Sequence, residues 1–216
     1  RFLAAHGADV LRIDPPGFDE VPAVVPDMTI GKRCAALDLR STEGRATFLA
    51  LVARADVLVV GYRPGALEGL GLDDATLAAA NPRLVRASLS AYGFVGPWRG
   101  RRGFDSLVQM SVGIASPTAG SSTKPSPLPA QALDHGLGYV AAAGIVRALS
   151  QRVRTGEGAH VRGSLLGIAN HLCALPPGQP SAITPVATAF PEASFERVST
   201  AWGAARRVRC PGTIVG

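Results

Sequence analysis

Short runs of apolar, mostly β-branched residues alternate along the first half of the chain with segments whose apolar positions recur at helical spacing. Phe48, Leu49 and Val52 fall on one face of a helix predicted over residues 42–53, and a second helix over 73–80 ends at Asn81-Pro82. The predicted strands cover residues 9–13, 35–39, 56–60 and 84–89. This strand–helix alternation predicts an α/β fold with a doubly wound, mainly parallel sheet of the Rossmann-like kind.

The second half continues with longer helices and then loses its periodicity. The pattern predicts helices over 104–112, 135–151 and 164–175, a short strand over 159–162, and loops over 14–31 and 116–129. Prolines and small residues dominate after Pro176. We therefore expect one large domain over 1–175, and a linker or an incomplete second domain over 176–216.

The composition is that of a globular protein with a basic surface. Of the 216 residues, 47% are hydrophobic and 18% charged, and the net charge of +6 is carried almost entirely by arginine. Arginine suits phosphate because its planar fork donates hydrogen bonds in pairs. A nucleic-acid-binding signature is missing, so a phosphorylated cofactor fits the charge better. On charge alone, however, a generally basic surface is the simpler explanation.

Several function classes lack their sequence signatures. The chain contains no P-loop, no GxSxG elbow, and no GxGxxG after a predicted strand. Cys34, Cys173 and Cys210 are far apart, and His171 stands near Cys173 without further ligands, so neither a disulfide framework nor a metal site is expected. No run of about 20 apolar residues and no signal peptide is visible, so we expect no membrane span and a cytoplasmic location.

The segment QALDHGLGYVAAAG draws attention because an aspartate, Asp134, stands just before a long helix. An N-cap is the simplest interpretation of this residue. Two glycines in the first turn, Gly136 and Gly138, weaken the helix, which is understandable if a bulky ligand approaches the backbone there. The free amides and positive potential of a helix N-terminus also favour a developing anion.

The order of six motifs resembles that of the family III CoA-transferases, which include the formyl-CoA and carnitine CoA-transferases. The motifs lie between Arg1 and about Leu166 and comprise LAAHGADVLRID, KRCAALDL, ADVLVVGYRPGALEGLGL, NPRLVRASLSAYGFVGPW, RRGFDSLVQMSVG and ALDHGLGYVAAAGIVRALSQRVRTGEGAHVRGSLL. The RPG, NPRL and TGEG sequences within them stand in the expected order.

The resemblance implies a reaction and a nucleophile. An aspartate of this family, which matches Asp134, attacks an acyl-CoA thioester and passes CoA to a carboxylic acid through anhydride and aspartyl-CoA thioester intermediates. An ionised aspartate needs no general base for this attack. Asp105 matches an acidic residue near the reacting groups. CoA is a substrate here, no permanently bound cofactor is implied, and family members form interlocked homodimers.

The resemblance also implies CoA contacts. Arg102 matches a basic CoA contact, and Tyr62, Arg63 and Pro64 match the loop after the nucleotide-binding strand. Ala91, Tyr92 and Gly93 follow the next strand at the carboxyl edge, where ligands of open α/β sheets bind. Gly136 joins this set through the close approach inferred above. Solvated surface charge is the alternative interpretation of Arg63 and Arg102.

Departures from the family pattern keep two alternatives open. The family begins with a further strand and runs to nearly twice this length, so we expect this sequence to be a fragment lacking that strand and most of the small domain. An α-methylacyl-CoA racemase of the same fold pairs the aspartate with a histidine near the position of Phe104. This chain has none there, so a two-base proton transfer would need His135 as the substitute. A catalytically inactive paralogue that serves as a binding module is the other alternative.

Overall fold

The computed structural model describes residues 1–116, 124–176 and 191–209. These residues form two compact units, one over Leu37–Pro176 and one that combines Arg1–Ala36 with the C-terminal segment. The grouping differs from the expected large domain over 1–175 in the placement of the first 36 residues. Cys210 and part of the predicted loop over 116–129 lie outside the described residues.

A three-stranded parallel sheet forms the centre of the larger unit, in the order β3–β4–β5. Its strands are β3 (Val57–Val60), β4 (Val85–Ser90) and β5 (Ala159–Ser164). Val57 lies opposite Val85, and Val85 lies opposite Ala159. The parallel α/β prediction is thereby confirmed for these strands, because an antiparallel β3–β4 pair would have contradicted it.

Two of the helices of this unit begin where a small polar side chain satisfies a free backbone amide. Ser41 Oγ accepts a hydrogen bond from Gly44 N at 2.9 Å before α3 (Thr42–Val52), and Asp73 Oδ1 accepts one from Thr76 N at 2.8 Å before α4 (Asp74–Ala80). Such caps each stabilise a helix by about 1 kcal/mol. Three further helices follow in the chain: α5 (Asp105–Ser111), α6 (Ala132–Thr155) and α7 (Leu165–Ala174).

Helix α6 provides the main cover of the sheet and contacts β4, β5, α5 and α7. Its buried residues recur at helical spacing. They are Leu133, Leu137, Ala141, Ala142, Ile145 and Ala148. The helix ends at Gly156, whose φ of 77° lies in the left-handed region that glycine adopts without strain. Arg152 holds this end to the sheet through Asp56, with 2.6 Å between Nη2 and Oδ1.

The smaller unit contains a second parallel pair and a hairpin. Strand β1 (Val10–Asp14) pairs with β2 (Lys32–Ala36). The short helix α1 (Phe2–Ala5) precedes β1, and the short helix α2 (Val25–Thr29) precedes β2. Strands β6 (Phe195–Thr200) and β7 (Gly203–Val208) form an antiparallel hairpin. The sequence pattern did not predict α2 or this hairpin, because neither segment carries a strong apolar period.

Two sequence predictions about α6 are corrected. The helix begins at Ala132 rather than at His135, and its N-cap residue is Gln131. Asp134 therefore lies in the first turn and is not the cap. Among the described helices, each is too short or too polar to cross a bilayer.

Candidate active site

The first turn of α6 rests on the best-packed part of the larger unit. A cluster of buried side chains comprises Tyr92, Val108, Leu133, Leu137, Leu165 and Ala169. Leu133, which directly precedes Asp134 in α6, and Val108 of α5 are fully buried. Packing therefore fixes the helix beside Asp134. The cluster thus supplies a rigid base for whatever side chains the first turn of α6 presents to solvent.

Asp134 presents its carboxylate at the surface of this turn and keeps its backbone inside the structure. Its residue is exposed, whereas its amide donates a hydrogen bond to Asp105 Oδ2 at 2.8 Å. Partial burial of the carboxyl group, and then the charge of Asp105, raise the pKa of Asp134, while His135 acts in the opposite direction. Desolvation of this kind leaves a carboxylate less well hydrated and therefore a better nucleophile.

Asp105 is buried, whereas the sequence predicted that it lies among the groups that contact substrate. Only 1% of this residue is exposed, and its two oxygens accept from Gln109 Nε2 and from the amide of Asp134. A carboxylate enclosed in this way cannot reach a substrate. A hydrogen bond joins Asp105 and Asp134 directly.

Gln109 is a site residue that the sequence analysis missed. It is 1% exposed, its Nε2 donates to Asp105 Oδ1, and its Oε1 accepts from Leu128 N at 2.8 Å. Glutamine four residues after an aspartate on a helix reaches back to it readily. That spacing within RRGFDSLVQMSVG was the available signal, but it is common on helices and does not reveal burial.

Tyr92 lies in the core instead of at the ligand edge. It is 6% exposed, its hydroxyl is 3.0 Å from Ser111 Oγ, and its ring stacks edge-on against Trp98. Its neighbour Ala91 accepts a backbone hydrogen bond from Leu166 N at 2.9 Å. Gly93, with φ of 88°, completes the turn after β4. These residues shape the end of β4 through their backbones.

Gly136 has a packing explanation that the sequence did not reveal. A Cβ atom at this position would lie 2.9 Å from Ile168 Cγ2, so the missing side chain allows α6 and α7 to approach each other. The neighbouring space is therefore occupied by α7 and not by a ligand. Gly138, in contrast, has no atom within 4 Å of such a Cβ.

The predicted phosphate contacts stay exposed. Tyr62, Arg63 and Arg102 are all exposed, with Tyr62 and Arg63 in the turn that directly follows β3. The guanidinium groups of Arg63 and Arg102 make no hydrogen bond or ion pair with the described part of the chain. They are therefore available to an anionic ligand.

A largely apolar cavity of about 450 Å³ opens beside α6. Leu137 and Val140 of α6 line it, together with Ile168 of α7, Phe94 and Arg162. Because Leu137 is three residues after Asp134, it occupies the neighbouring position on the helix surface. One lining residue of the cavity thus lies about one helical turn along α6 from Asp134. No cluster of metal-ligating side chains occurs in the described ranges.

Comparison with known proteins identifies the family to which this chain is similar. The family model "CoA-transferase family III" matches residues 1–196. An acetyl-CoA:oxalate CoA-transferase from Acetobacter aceti is 36% identical over 171 residues, which cover 74% of this chain and 44% of that protein. The probable fatty acyl-CoA transferase Rv3272 from Mycobacterium tuberculosis is 32% identical over 167 residues, which cover 71% of this chain and 42% of that protein.

Solved structures show the same relationship. A crystal structure of Rv3272 aligns with a TM-score of 0.73 at 32% identity, covering 80% of this chain and 51% of that one. A CaiB/BaiF family protein from Brucella suis aligns with a TM-score of 0.70 at 28% identity, covering 94% and 59%. The chain spans less than half the length of the curated relatives cited here. By the match over residues 1–196 and by these relatives, the chain belongs to CoA-transferase family III.

Proposed function

We propose that the protein transfers CoA from an acyl-CoA thioester to a free carboxylic acid, with Asp134 as the nucleophile. The observation that carries the proposal is the carboxylate of Asp134, which is exposed on a helical turn whose amide is held by a buried acceptor. A nucleophile needs this combination of an accessible reacting atom and a fixed backbone. Similar proteins named as acetyl-CoA:oxalate, formyl-CoA:oxalate and succinyl-CoA–D-citramalate CoA-transferases support the reaction class.

The proposed chemistry uses four exchanges at acyl carbons. An oxygen of Asp134 attacks the thioester carbonyl, the C–S bond breaks, and CoA thiolate leaves behind a mixed anhydride. The thiolate attacks the aspartyl carbonyl and releases the donor as a carboxylate, which forms an aspartyl-CoA thioester. The acceptor carboxylate attacks that thioester and expels CoA thiolate. The thiolate then attacks the acceptor carbonyl, giving the new acyl-CoA and the original Asp134 carboxylate.

Three features of the described residues support these steps. Partial burial, which raises the pKa of Asp134, favours attack by its carboxylate, and an ionised aspartate requires no general base. Arg63 and Arg102 present exposed guanidinium groups for the phosphates of CoA. The cavity beside Leu137 offers apolar volume for the chain that carries the thioester.

Hydroxylamine trapping tests the assignment. Incubation with an acyl-CoA and hydroxylamine should convert an anhydride or thioester on Asp134 to a hydroxamate, which mass spectrometry locates in the peptide that contains this residue. Asp134→Asn keeps the shape of the side chain and should abolish the label. Glu43→Gln, an exposed carboxylate in the first turn of α3, is the matched control and should leave the label unchanged. A label at another residue would refute Asp134 as the nucleophile.

The racemase alternative lacks a second proton carrier at the position expected for it. The position at which a racemase has histidine is near Phe104, whose side chain cannot transfer a proton and whose residue is 80% exposed. Deuterium exchange at the α-carbon of an acyl-CoA measures this alternative directly. We expect no exchange above the rate without protein.

A further inference from the structure

We propose that Asp105 and Gln109 are positioning residues, which together hold the backbone of Asp134 and never contact the substrate. The inference rests on the proposed function, since it explains how the nucleophile is kept in place. It assigns Asp105 a different task from direct participation in catalysis and adds Gln109, which the motif comparison did not identify.

The hydrogen bonds form one chain that crosses three segments. Leu128 N donates to Gln109 Oε1 at 2.8 Å, Gln109 Nε2 donates to Asp105 Oδ1, and Asp134 N donates to Asp105 Oδ2 at 2.8 Å. Gln109 Nε2 also lies 3.4 Å from Ala130 O. The pair therefore fixes the segment that leads into α6 as well as the first turn of that helix.

Asp105 performs for α6 the task that a capping side chain usually performs. The amide of Asp134 is one of the first four of the helix, which have no partner within it, and Gln131 makes no side-chain cap. An acceptor 29 residues earlier in the chain satisfies this amide instead. Because the capping group belongs to α5, the position of Asp134 depends on how α5 and α6 pack.

The charge of Asp105 gives the pair a second effect on the nucleophile. Its described hydrogen-bond donors are uncharged amides, so the buried negative charge acts on the carboxylate of Asp134. Repulsion between the two carboxylates raises the energy of the ionised nucleophile, and attack on a carbonyl carbon relieves it. Removing that charge should therefore lower the pKa of Asp134 as well as loosen its backbone.

Two variants separate these effects. Asp105→Asn removes the charge and places a donor opposite Gln109 Nε2, so that the hydrogen-bond chain cannot be completed. The exchange variant Asp105→Asn with Gln109→Glu restores the three bonds of the chain, because the new amide accepts from Asp134 N and donates to the new carboxylate, which accepts from Leu128 N. Only the long contact with Ala130 O loses its donor. The negative charge of this variant is one side chain further from Asp134. Glu43→Gln is again the control.

Three measurements on the full chain define the outcome. Carbon-13 NMR of the aspartate carboxyls gives the pKa of Asp134, which should fall in Asp105→Asn and, by a smaller amount, in the exchange variant. The amide of Asp134 should exchange with solvent faster in Asp105→Asn and return towards its original rate in the exchange variant. Hydroxamate formation should fall about 10- to 100-fold in Asp105→Asn, as expected for a slightly misplaced reacting group, and should largely recover in the exchange variant.

A folded exchange variant that remains as inactive as Asp105→Asn would overturn the proposal, because Asp105 would then act on the substrate itself. Unchanged labelling in Asp105→Asn would also overturn it. If Asp105→Asn does not fold, comparison of the exchange variant with the original protein decides the same question. If the original protein forms no hydroxamate at Asp134, the proposed function fails, while amide exchange and the carboxyl titration still test the positioning role.

Discussion

At the scale of single residues, Asp134 and Asp105 show how one residue type serves two purposes. Asp134 is exposed and partly desolvated, whereas Asp105 is buried and hydrogen-bonded by amides. The difference arises from the partners that packing supplies and not from the side chain. The charges of Arg63 and Arg102 differ from both carboxylates, because these side chains are exposed and can bind an anion from solution.

Replacement of Asp134 by asparagine should separate stability from activity. Its pKa is raised in the folded state, so its contribution to stability is present below the unfolded value, about 3.9, and is lost as the pH rises through the folded value. We expect Asp134→Asn to be equal to the original protein or more stable at pH 7, by less than about 1 kcal/mol because the group is exposed. Urea unfolding at pH 7 and pH 3.5 measures this, and a clear loss of stability at pH 7 would contradict it.

Binding of CoA should depend on Arg63 and Arg102 and on salt. Because exposed phosphate contacts are screened, calorimetry should show affinity that falls as the salt concentration rises. Arg63→Ala or Arg102→Ala should weaken binding about tenfold, equivalent to about 1.4 kcal/mol. Arg154→Ala, an exposed arginine in the last turn of α6, is the control and should bind normally. Salt-independent binding, or equal affinity in all variants, would count against these contacts.

At the scale of elements, the close approach of α6 to its neighbours depends on glycines. Gly136 faces Ile168 of α7, and Gly144 faces Val161 of β5; at each glycine a Cβ atom would lie 2.9 Å from a side-chain methyl group. Gly163 of β5 faces Leu137 in the same manner. These contacts explain why a long helix retains residues that lower its intrinsic stability.

Two alanine substitutions in the same turn should therefore have opposite effects. Gly138→Ala adds a methyl group in open space and should stabilise the protein by up to about 1 kcal/mol through helix propensity. Gly136→Ala meets Ile168 and should destabilise it by about 1 kcal/mol or more.

Urea denaturation measures both changes, and a double-mutant cycle identifies the cause. Ile168→Ala should make the Gly136→Ala substitution less harmful and leave Gly138→Ala unaffected. Equal effects of the two glycine substitutions would show that α7 does not set the cost at Gly136.

At the scale of the whole molecule, the far end of α7 carries apolar surface. Leu165 and Ala169 of this helix are buried, but Leu172 is 38% exposed and Leu175 directly after the helix is 51% exposed. Apolar residues that remain together at a surface favour association. The resemblance to dimeric family members leads to the same expectation.

We therefore predict a dimer in solution. Light scattering should give about twice the monomer mass, and Leu172→Ser with Leu175→Ser should shift the population towards monomer. Val153→Ser is the control, because Val153 is an 83% exposed apolar residue near the C-terminal end of α6. This substitution should not change the mass. A clean monomer at high protein concentration would refute the prediction.

The alternation of strands and helices from Thr42 to Ala174 follows from the sequence, because periodicity and capping act over a few residues. The parallel β3–β4 pairing and the helical context of Asp134 were likewise predictable. The predicted start of α6 was wrong by three residues, because no side chain close in sequence caps this helix. The β6–β7 hairpin was missed because its strands lack a clear alternation of apolar and polar residues.

Tertiary structure alone decided the tasks of Asp105, Gln109, Tyr92 and Gly136. Each depends on a partner that is distant in the chain. The pairs are Asp105 with Asp134, Gln109 with Leu128, Tyr92 with Ser111, and Gly136 with Ile168. Local sequence sets which conformation a segment prefers and which residue types it offers for chemistry. Whether a polar group ends exposed or buried depends on which elements pack together, and burial then determines whether a carboxylate faces solvent or accepts hydrogen bonds from backbone and side-chain amides.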